Sequence, residues 1–268
     1  MKKTASAAEF AGEQARTRCK QLAAAIEAAL ATPDAEAVHA LRVAIRRLEP
    51  SLDVFGHYGS DKKGKKIRRR LLEILALAGE VRDCDVALEL LSNRRLCAKI
   101  FTRRERAASR LLAELKRHGA AQEAIAWRPP IHARSIRTRS ISTTARRELR
   151  RAEARFLKSG RRAVLSAKDL HRVRIAAKRL RYLIELFADL YGPAAEEWLA
   201  KIRKVQSLLG RLNNCRTVRA MVSDLGGPKS IARELKKKQR QYQARFGKLW
   251  RKEFRSRLFP AAFRSIRQ

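Results

Sequence analysis

Two segments of the chain carry a histidine, an arginine and a basic pair at one shared helical spacing. The first segment is HALRVAIRRL, from His39 to Leu48, and the second is HRVRIAAKRL, from His171 to Leu180. In each copy an arginine follows the histidine by three residues, and the basic pair begins four residues later. The offset is 132 residues at both positions, 39 to 171 and 42 to 174. The constant offset indicates two related halves that each present the same row of cations.

The spacing places the basic residues of each copy on one side of a helix. At about 100° per residue, His39, Arg42 and Arg46 fall within about 60° of one another. In the second copy the corresponding row is His171, Arg174 and Lys178, with Arg181 beside it. Large apolar residues occupy a neighbouring face of both helices: Leu41, Ile45, Leu48, Leu52 and Phe55 in the first, and Val173, Ala177, Leu180, Ile184 and Phe187 in the second. We therefore expect the cations to line a groove between helices. The alternative is that they cover an exposed face, with their stems lying on apolar surface.

The charge of the whole chain points to an anionic partner. Among 268 residues there are 63 Lys and Arg against 26 Asp and Glu, a formal net charge of +37. Self-repulsion of this size destabilises a compact protein and favours a polyanion that neutralises it. Nucleic acid, an anionic membrane surface and inorganic polyphosphate all fit this description. Charge alone leaves the choice among them open.

The sequence does not predict an enzyme, a cofactor or a metal site. The chain contains no GxxxxGK[ST], GxGxxG, HExxH or GxSxG motif. Neither His39 nor His171 has an acidic residue or cysteine three or four positions further on, which argues against a metal site. A single helical histidine is more often a hydrogen-bonded structural residue, and here it could also add charge near neutral pH. Asp83 and Asp85 are expected to pair with arginines.

The remaining composition predicts a protein of the cytoplasm. Four cysteines are scattered without a CxxC pair, which favours reduced thiols over disulfides. No apolar run is long enough for a membrane span, and acidic residues interrupt the segment that follows the basic start.

Nearly every segment has a helical period, so the expected fold class is all-α. We expect helices over 8–31, 35–55, 65–77, 83–91 and 94–117 in the first half, with Gly79 ending the third of them. In the second half we expect helices over 143–157, 168–190, 194–209, 214–223 and 228–249, with Gly210 as the matching stop and a last segment near 251–263. Prolines and small polar residues in 127–142 predict a linker between half-repeats 8–126 and 143–266. Two helical bundles related by a pseudo-twofold axis would accommodate this order.

Several motifs resemble those of the CHAD domain, the conserved histidine α-helical domain. They are the doubled helix above, RDCDV from Arg82, KRLRY from Lys178, and QSLLGRLN from Gln206. The resemblance covers 8–266 as a single domain. No segment resembles the ExExK strand of the triphosphate-tunnel (CYTH) domain, so the chain looks like a stand-alone, bacterial-type copy.

The resemblance implies a pair of four-helix bundles with a basic central cavity that binds inorganic polyphosphate. It also implies that the protein does no catalysis and associates with polyphosphate granules. Carried over by motif, the residues expected to line the cavity are His39, Arg42, Arg46, Arg47, His171, Arg174, Lys178, Arg179 and Arg181, with Arg70 and Lys201 added from the following helices. The alternative is a nucleic-acid or nucleoid-binding protein. Only 6% of the residues are aromatic, which leaves few rings for base stacking.

Overall fold

Helix starts are marked by short polar side chains that accept hydrogen bonds from the first turn. The structure is a computed structural model that describes residues 7–55, 62–117, 140–161 and 166–254. Asp34 accepts from the amide of Ala37 at 2.8 Å, Asn93 from that of Leu96 at 3.0 Å, and Ser166 from that of Asp169 at 3.1 Å. Such caps satisfy amides that have no partner within their helix. Every regular element in the described ranges is a helix, which confirms the all-α prediction.

The chain divides into two compact units, Met1–Arg139 and Ser140–Gln268. The described helices of the first unit are α1 (Ala7–Ala31), α2 (Ala35–Phe55), α3 (Lys62–Leu90) and α4 (Arg94–Arg117). Helix α1 packs on α2 and α4, and α3 packs on α2 and α4 as well. Each helix therefore has two neighbours, as in a four-helix bundle.

The described helices of the second unit are α5 (Ile141–Arg161), α6 (Ala167–Leu186), the single turn α7 (Ala188–Tyr191), α8 (Pro193–Asp224) and α9 (Lys229–Glu253). Helix α6 packs on α5 and α8, and α9 packs on α8. The ring of Phe156 on α5 meets that of Trp250 on α9, with centroids 5.0 Å apart. The four long helices thus form a second closed ring, in which α6 and α9 occupy opposite corners.

The predicted apolar faces of α2 and α6 are buried. All ten residues assigned to them are at most 4% exposed, among them Leu41 and Ile45 on α2 and Val173 and Ala177 on α6. Helix α2 also has the predicted bounds and continues through Pro50. The hydrophobic periodicity therefore predicted which side of each helix faces the core.

The predicted breaks at Gly79 and Gly210 are wrong. Helix α3 runs without interruption from Lys62 to Leu90 and α8 from Pro193 to Asp224. A glycine inside a helix costs about 1 kcal/mol relative to alanine. Burial of residues on both sides, such as Ala78 and Val81, outweighs that cost in α3.

Three other boundaries also differ from the predictions. The helix expected over 168–190 ends at Leu186, and the separate turn α7 follows it. Helix α5 begins at Ile141, so the last two residues of the predicted linker are helical, and 127–139 lies outside the described residues. Helix α9 extends to Glu253, which leaves most of the predicted last segment outside the described residues.

Candidate functional site

Cations from two helices converge around His171 in the second unit. Arg174 and Lys178 lie on α6 with His171, and Arg216 approaches from α8. The pKa of His171 is lowered from 6.5, first by burial and then by repulsion from Arg174, Arg216 and Lys178. We call these four residues the His171 cluster. The structure thereby brings three of the predicted site residues together and adds Arg216, which the motif comparison missed.

Arg216 could have been found from a change of charge sign between the halves. By the offset of 131 that relates Gly79 to Gly210, Arg216 corresponds to Asp85. In the first unit Asp85 is buried and pairs with Arg104, whose Nε lies 2.7 Å from the Asp85 carboxylate. The Nη2 of Arg104 donates to the Pro33 carbonyl at 2.8 Å. This confirms the expectation that Asp85 pairs with an arginine, and it shows that the second unit carries a cation where the first carries a neutralised acid.

The two helices that supply the His171 cluster are joined by an uncharged bond. The Gln206 amide on α8 donates to the main-chain carbonyl of Ala177 on α6 at 2.9 Å. The contacts of Ala177 with Gln206 and of His171 with Arg216 imply that the helices run antiparallel. Lys201 precedes Arg216 by fifteen residues, or about 22 Å of helix rise. Lys201 therefore lies toward the far end of α6 and outside the cluster.

Two other predicted residues of α6 have different surroundings. Arg181 pairs with Glu185 on the same helix at 3.4 Å, and its guanidinium lies over the Tyr182 ring at 4.6 Å from the centroid. It is therefore engaged by its own helix. Arg179 is exposed, as is the apolar side chain of Ile175, which is 53% accessible.

In the first unit the arginine of the repeated motif bridges two helices. Arg42 Nη1 donates to the Leu75 carbonyl on α3 at 3.0 Å, and a Cβ at Gly79 would lie 2.8 Å from the same nitrogen. A Cβ at Gly210, by contrast, would meet no atom of the described residues within 4 Å. Gly79 therefore provides space for the Arg42 guanidinium.

The remaining predicted residues of the first unit are placed along α2 and α3. His39 is exposed, while Arg46, Arg47 and Arg70 are half-buried. Arg70 precedes Gly79 by nine residues, about 13 Å of helix rise. The row on α2 thus begins with the exposed His39 and includes the Arg42 guanidinium, which is fixed to α3.

The described residues provide no group of three or more His, Cys, Asp or Glu side chains that could hold a metal ion. All four cysteines are free, and burial raises the pKa of both the Cys84 and the Cys215 thiols. Within the described part of the chain, no helix is long and apolar enough to cross a membrane.

Solved structures of low sequence identity share this fold. The CHAD domain of the plant Ricinus communis is 20% identical, with a TM-score of 0.66 over 98% of this chain and 91% of that one. PptA from Streptomyces chartreusis is 16% identical, with a TM-score of 0.67 over 90% of this chain and 98% of that one. No curated protein matches the sequence.

The CHAD domain family model matches residues 13–223, well over half of the chain. That range contains both copies of the repeated helix, the buried Asp85 and Arg216. The motifs that first resembled the family therefore lie in their expected order within the matched region, and the chain belongs to the CHAD domain family.

Proposed function

We propose that the protein binds inorganic polyphosphate without chemically altering it. The observation that carries the proposal is the His171 cluster, in which burial and then repulsion from Arg174, Arg216 and Lys178 lower the pKa of His171. Groups that repel one another in the free protein bind a polyanion favourably, because the ligand removes the repulsion. Family membership and the net charge of +37 support the same conclusion.

The arginines supply most of the recognition of phosphate. A guanidinium can donate two parallel hydrogen bonds to phosphate oxygens, whereas a lysine ammonium acts as a compact charge. On α2, the hydrogen bond of Arg42 to the Leu75 carbonyl holds its guanidinium in place before a ligand binds. Arg46, Arg47, Arg70, Arg179 and Lys201 would extend the contact along the helices. A common cavity for the two units stays a prediction.

The absence of catalysis is part of the proposal. The side chains around His171 are cationic, and none of the three is a nucleophile or an acid at neutral pH. Polyphosphate offers repeated charge and no bases, so counter-ion release would drive the binding. Association with polyphosphate granules in the cytoplasm follows from this proposal.

A binding measurement tests the site. We expect the triple variant R174A/K178A/R216A to bind long-chain polyphosphate at least tenfold more weakly than wild type at low salt. The matched control R94A/R95A/R106A removes three exposed cations from α4 and the same net charge. Equal affinities for the two variants would contradict the site assignment.

Nucleic acid is the second candidate because the same charge attracts DNA. A competition assay separates the two ligands: duplex DNA should fail to displace labelled polyphosphate at equal phosphate concentration. Displacement by DNA would favour the nucleic-acid function. Incubation with polyphosphate and Mg²⁺, followed by gel analysis of chain length, tests the lack of catalysis, and shortened chains would overturn it. A tagged copy should form foci only in cells that make polyphosphate.

A further inference from the structure

Helix α9 carries a second row of cations on its exposed side. At about 100° per residue, seven lysines and arginines fall within about 120° of one another. These are Lys229, Arg233, Lys236, Lys237, Arg240, Lys248 and Arg251, and all seven are exposed. We call them the α9 row. Between its ends it spans about 33 Å at 1.5 Å per residue.

The acidic residues of α9 lie off this row. Glu234 lies about 40° outside Lys248, the edge of the row on that side by helical angle, and its carboxylate accepts from Lys238 at 2.7 Å. Glu253 is on the opposite side, next to the buried face. Within the described residues, none of the seven cations forms an ion pair. Of the seven, only Lys237 has a partial electrostatic partner in the described part of the chain, the Glu234 carboxylate, whose pKa it helps to lower after Lys238.

Small residues leave a depression in the C-terminal half of the row. It has a volume of about 510 Å³, and the described residues that line it include Arg240, Ala244, Gly247, Lys248 and Arg251. Ala244 and Gly247 allow a ligand to approach the helix backbone between charged side chains. A chain lying along α9 would thus have cations on both sides of its path.

The α9 row is separate from the His171 cluster. Helix α9 packs on α8 and, through Trp250 against Phe156, on α5. Helix α6 packs on the same two helices, so α6 and α9 are diagonal in the bundle. The large buried residues Leu235 and Phe246 of α9 lie about 140–160° from the centre of the row. The two groups of cations therefore occupy different faces of the second unit.

We infer that the α9 row is a second polyphosphate-binding surface, independent of the His171 cluster; this inference rests on the proposed function for the identity of the ligand. A chain with one charge per phosphate can follow these cations, which lie at most four residues apart except for the gap of eight between Arg240 and Lys248. Nucleic-acid binding surfaces usually add aromatic rings for base stacking. Here Tyr242, Phe246 and Trp250 all lie off the row, and Tyr242 is next to Arg211, 6.0 Å from its ring centroid. The row therefore fits a polyanion without bases.

Titration calorimetry with a short polyphosphate, too short to span two surfaces, tests the inference at several salt concentrations. Wild-type protein should show two classes of site. In the variant K237A/R240A/K248A, one class of site should bind at least tenfold more weakly. Alternatively, the slope of its log binding constant against log salt concentration should be smaller by about 2. The variant R174A/K178A/R216A should lose the other class, and the α4 control R94A/R95A/R106A should keep both.

The outcomes distinguish this inference from the proposed function. If K237A/R240A/K248A keeps both classes of site, the α9 row is not a site, whatever the result for R174A/K178A/R216A. If only the α9 variant loses binding, the α9 row stands and the His171 cluster fails. If single-stranded DNA of equal phosphate content binds the α9 row as tightly as polyphosphate does, the assigned ligand is wrong. Far-UV circular dichroism confirms that each variant is folded.

Discussion

Arg42 is fixed to the backbone of α3 by a hydrogen bond of 3.0 Å from its Nη1 to the carbonyl of Leu75. The bond crosses from the helix of the repeated motif to the next helix, and Gly79 leaves room for it one turn further on. In the second unit the equivalent helix pair is joined by Gln206 and Ala177 instead. A cation is therefore part of the helix packing in the first unit, whereas an amide has that role in the second.

Alanine at the two equivalent glycines should have different effects. Gly210→Ala should raise the free energy of unfolding by up to about 1 kcal/mol, because alanine favours a helix and the new Cβ meets nothing nearby. Gly79→Ala should be less stable than Gly210→Ala by about 1.5–3 kcal/mol, the worth of a hydrogen bond to a charged group. Urea denaturation measures both.

The difference depends on Arg42, which provides the control. In an Arg42→Ala background, Gly79→Ala should stabilise as much as Gly210→Ala does. A gap that persists without the arginine would show that Gly79 has another role.

The pKa of His171 should lie below its ordinary value of 6.5 in the free protein and rise when polyphosphate binds. Arg216→Gln should raise the pKa as well, since it removes one of the repelling charges. Arg172→Gln should leave it unchanged, because Arg172 does not contribute to the shift and pairs with Asp169. NMR titration of the His171 ring measures all three.

The same shift sets a direction for the dependence of stability on pH. Between the lowered folded value and 6.5, the unfolded chain binds more protons at His171 than the folded chain does. The contribution of His171 to the free energy of unfolding is therefore fully present above pH 6.5. It is lost as the pH falls through the lowered pKa of the folded protein. Polyphosphate binding should take up protons in this range, and calorimetry in buffers of different ionisation enthalpy detects that uptake.

Removing Arg104 should destabilise the first unit strongly. Arg104→Ala leaves the Asp85 side chain, only 5% exposed, without its ion pair and should cost about 3–5 kcal/mol. The exposed pair of Arg110 with Glu80 supplies the control, since Arg110→Ala should cost at most about 1 kcal/mol. Thermal and urea unfolding give both values, and similar costs would refute the structural importance of Asp85.

Gly160 should not tolerate a side chain. A Cβ there would lie 1.8 Å from the Trp250 ring, which packs against Phe156 and Phe254 with both centroid distances 5.0 Å. Gly160→Ala must displace the indole and should cost about 1–3 kcal/mol with a change in tryptophan fluorescence. Gly210→Ala, at an open position, should leave the fluorescence unchanged. Unaltered fluorescence in Gly160→Ala would contradict the packing at Trp250.

The sequence predicted the parts of the fold that depend on local periodicity. The bounds of α2 and the buried faces of α2 and α6 followed from the apolar spacing, and the family followed from ordered motifs. The breaks at Gly79 and Gly210 were wrong because the periodic pattern gives no weight to burial on either side of a glycine. A conflict between helix propensity and packing is settled only in the folded protein.

The site was predicted less completely, for a related reason. Arg216 is 45 residues from His171 along the chain, and although offset 131 matches it to Asp85, only the packing of α8 on α6 shows that it lies near His171. The Arg104 pair with Asp85 likewise joins residues 19 apart on two helices. Arg181 matched the motif, yet Glu185 one turn later engages it. Membership of a repeated motif therefore did not show which cations lie together in the folded protein.

The amide of Gln206 has an evolutionary consequence. Because Gln206 supplies the bond to Ala177, Arg174 or Lys178 can be exchanged without removing that hydrogen bond between α6 and α8. The first unit lacks this freedom, since replacing Arg42 alters a surface charge and a helix contact at once. Duplication followed by such a transfer would leave one half free to acquire new anion preferences while the other preserves the original one.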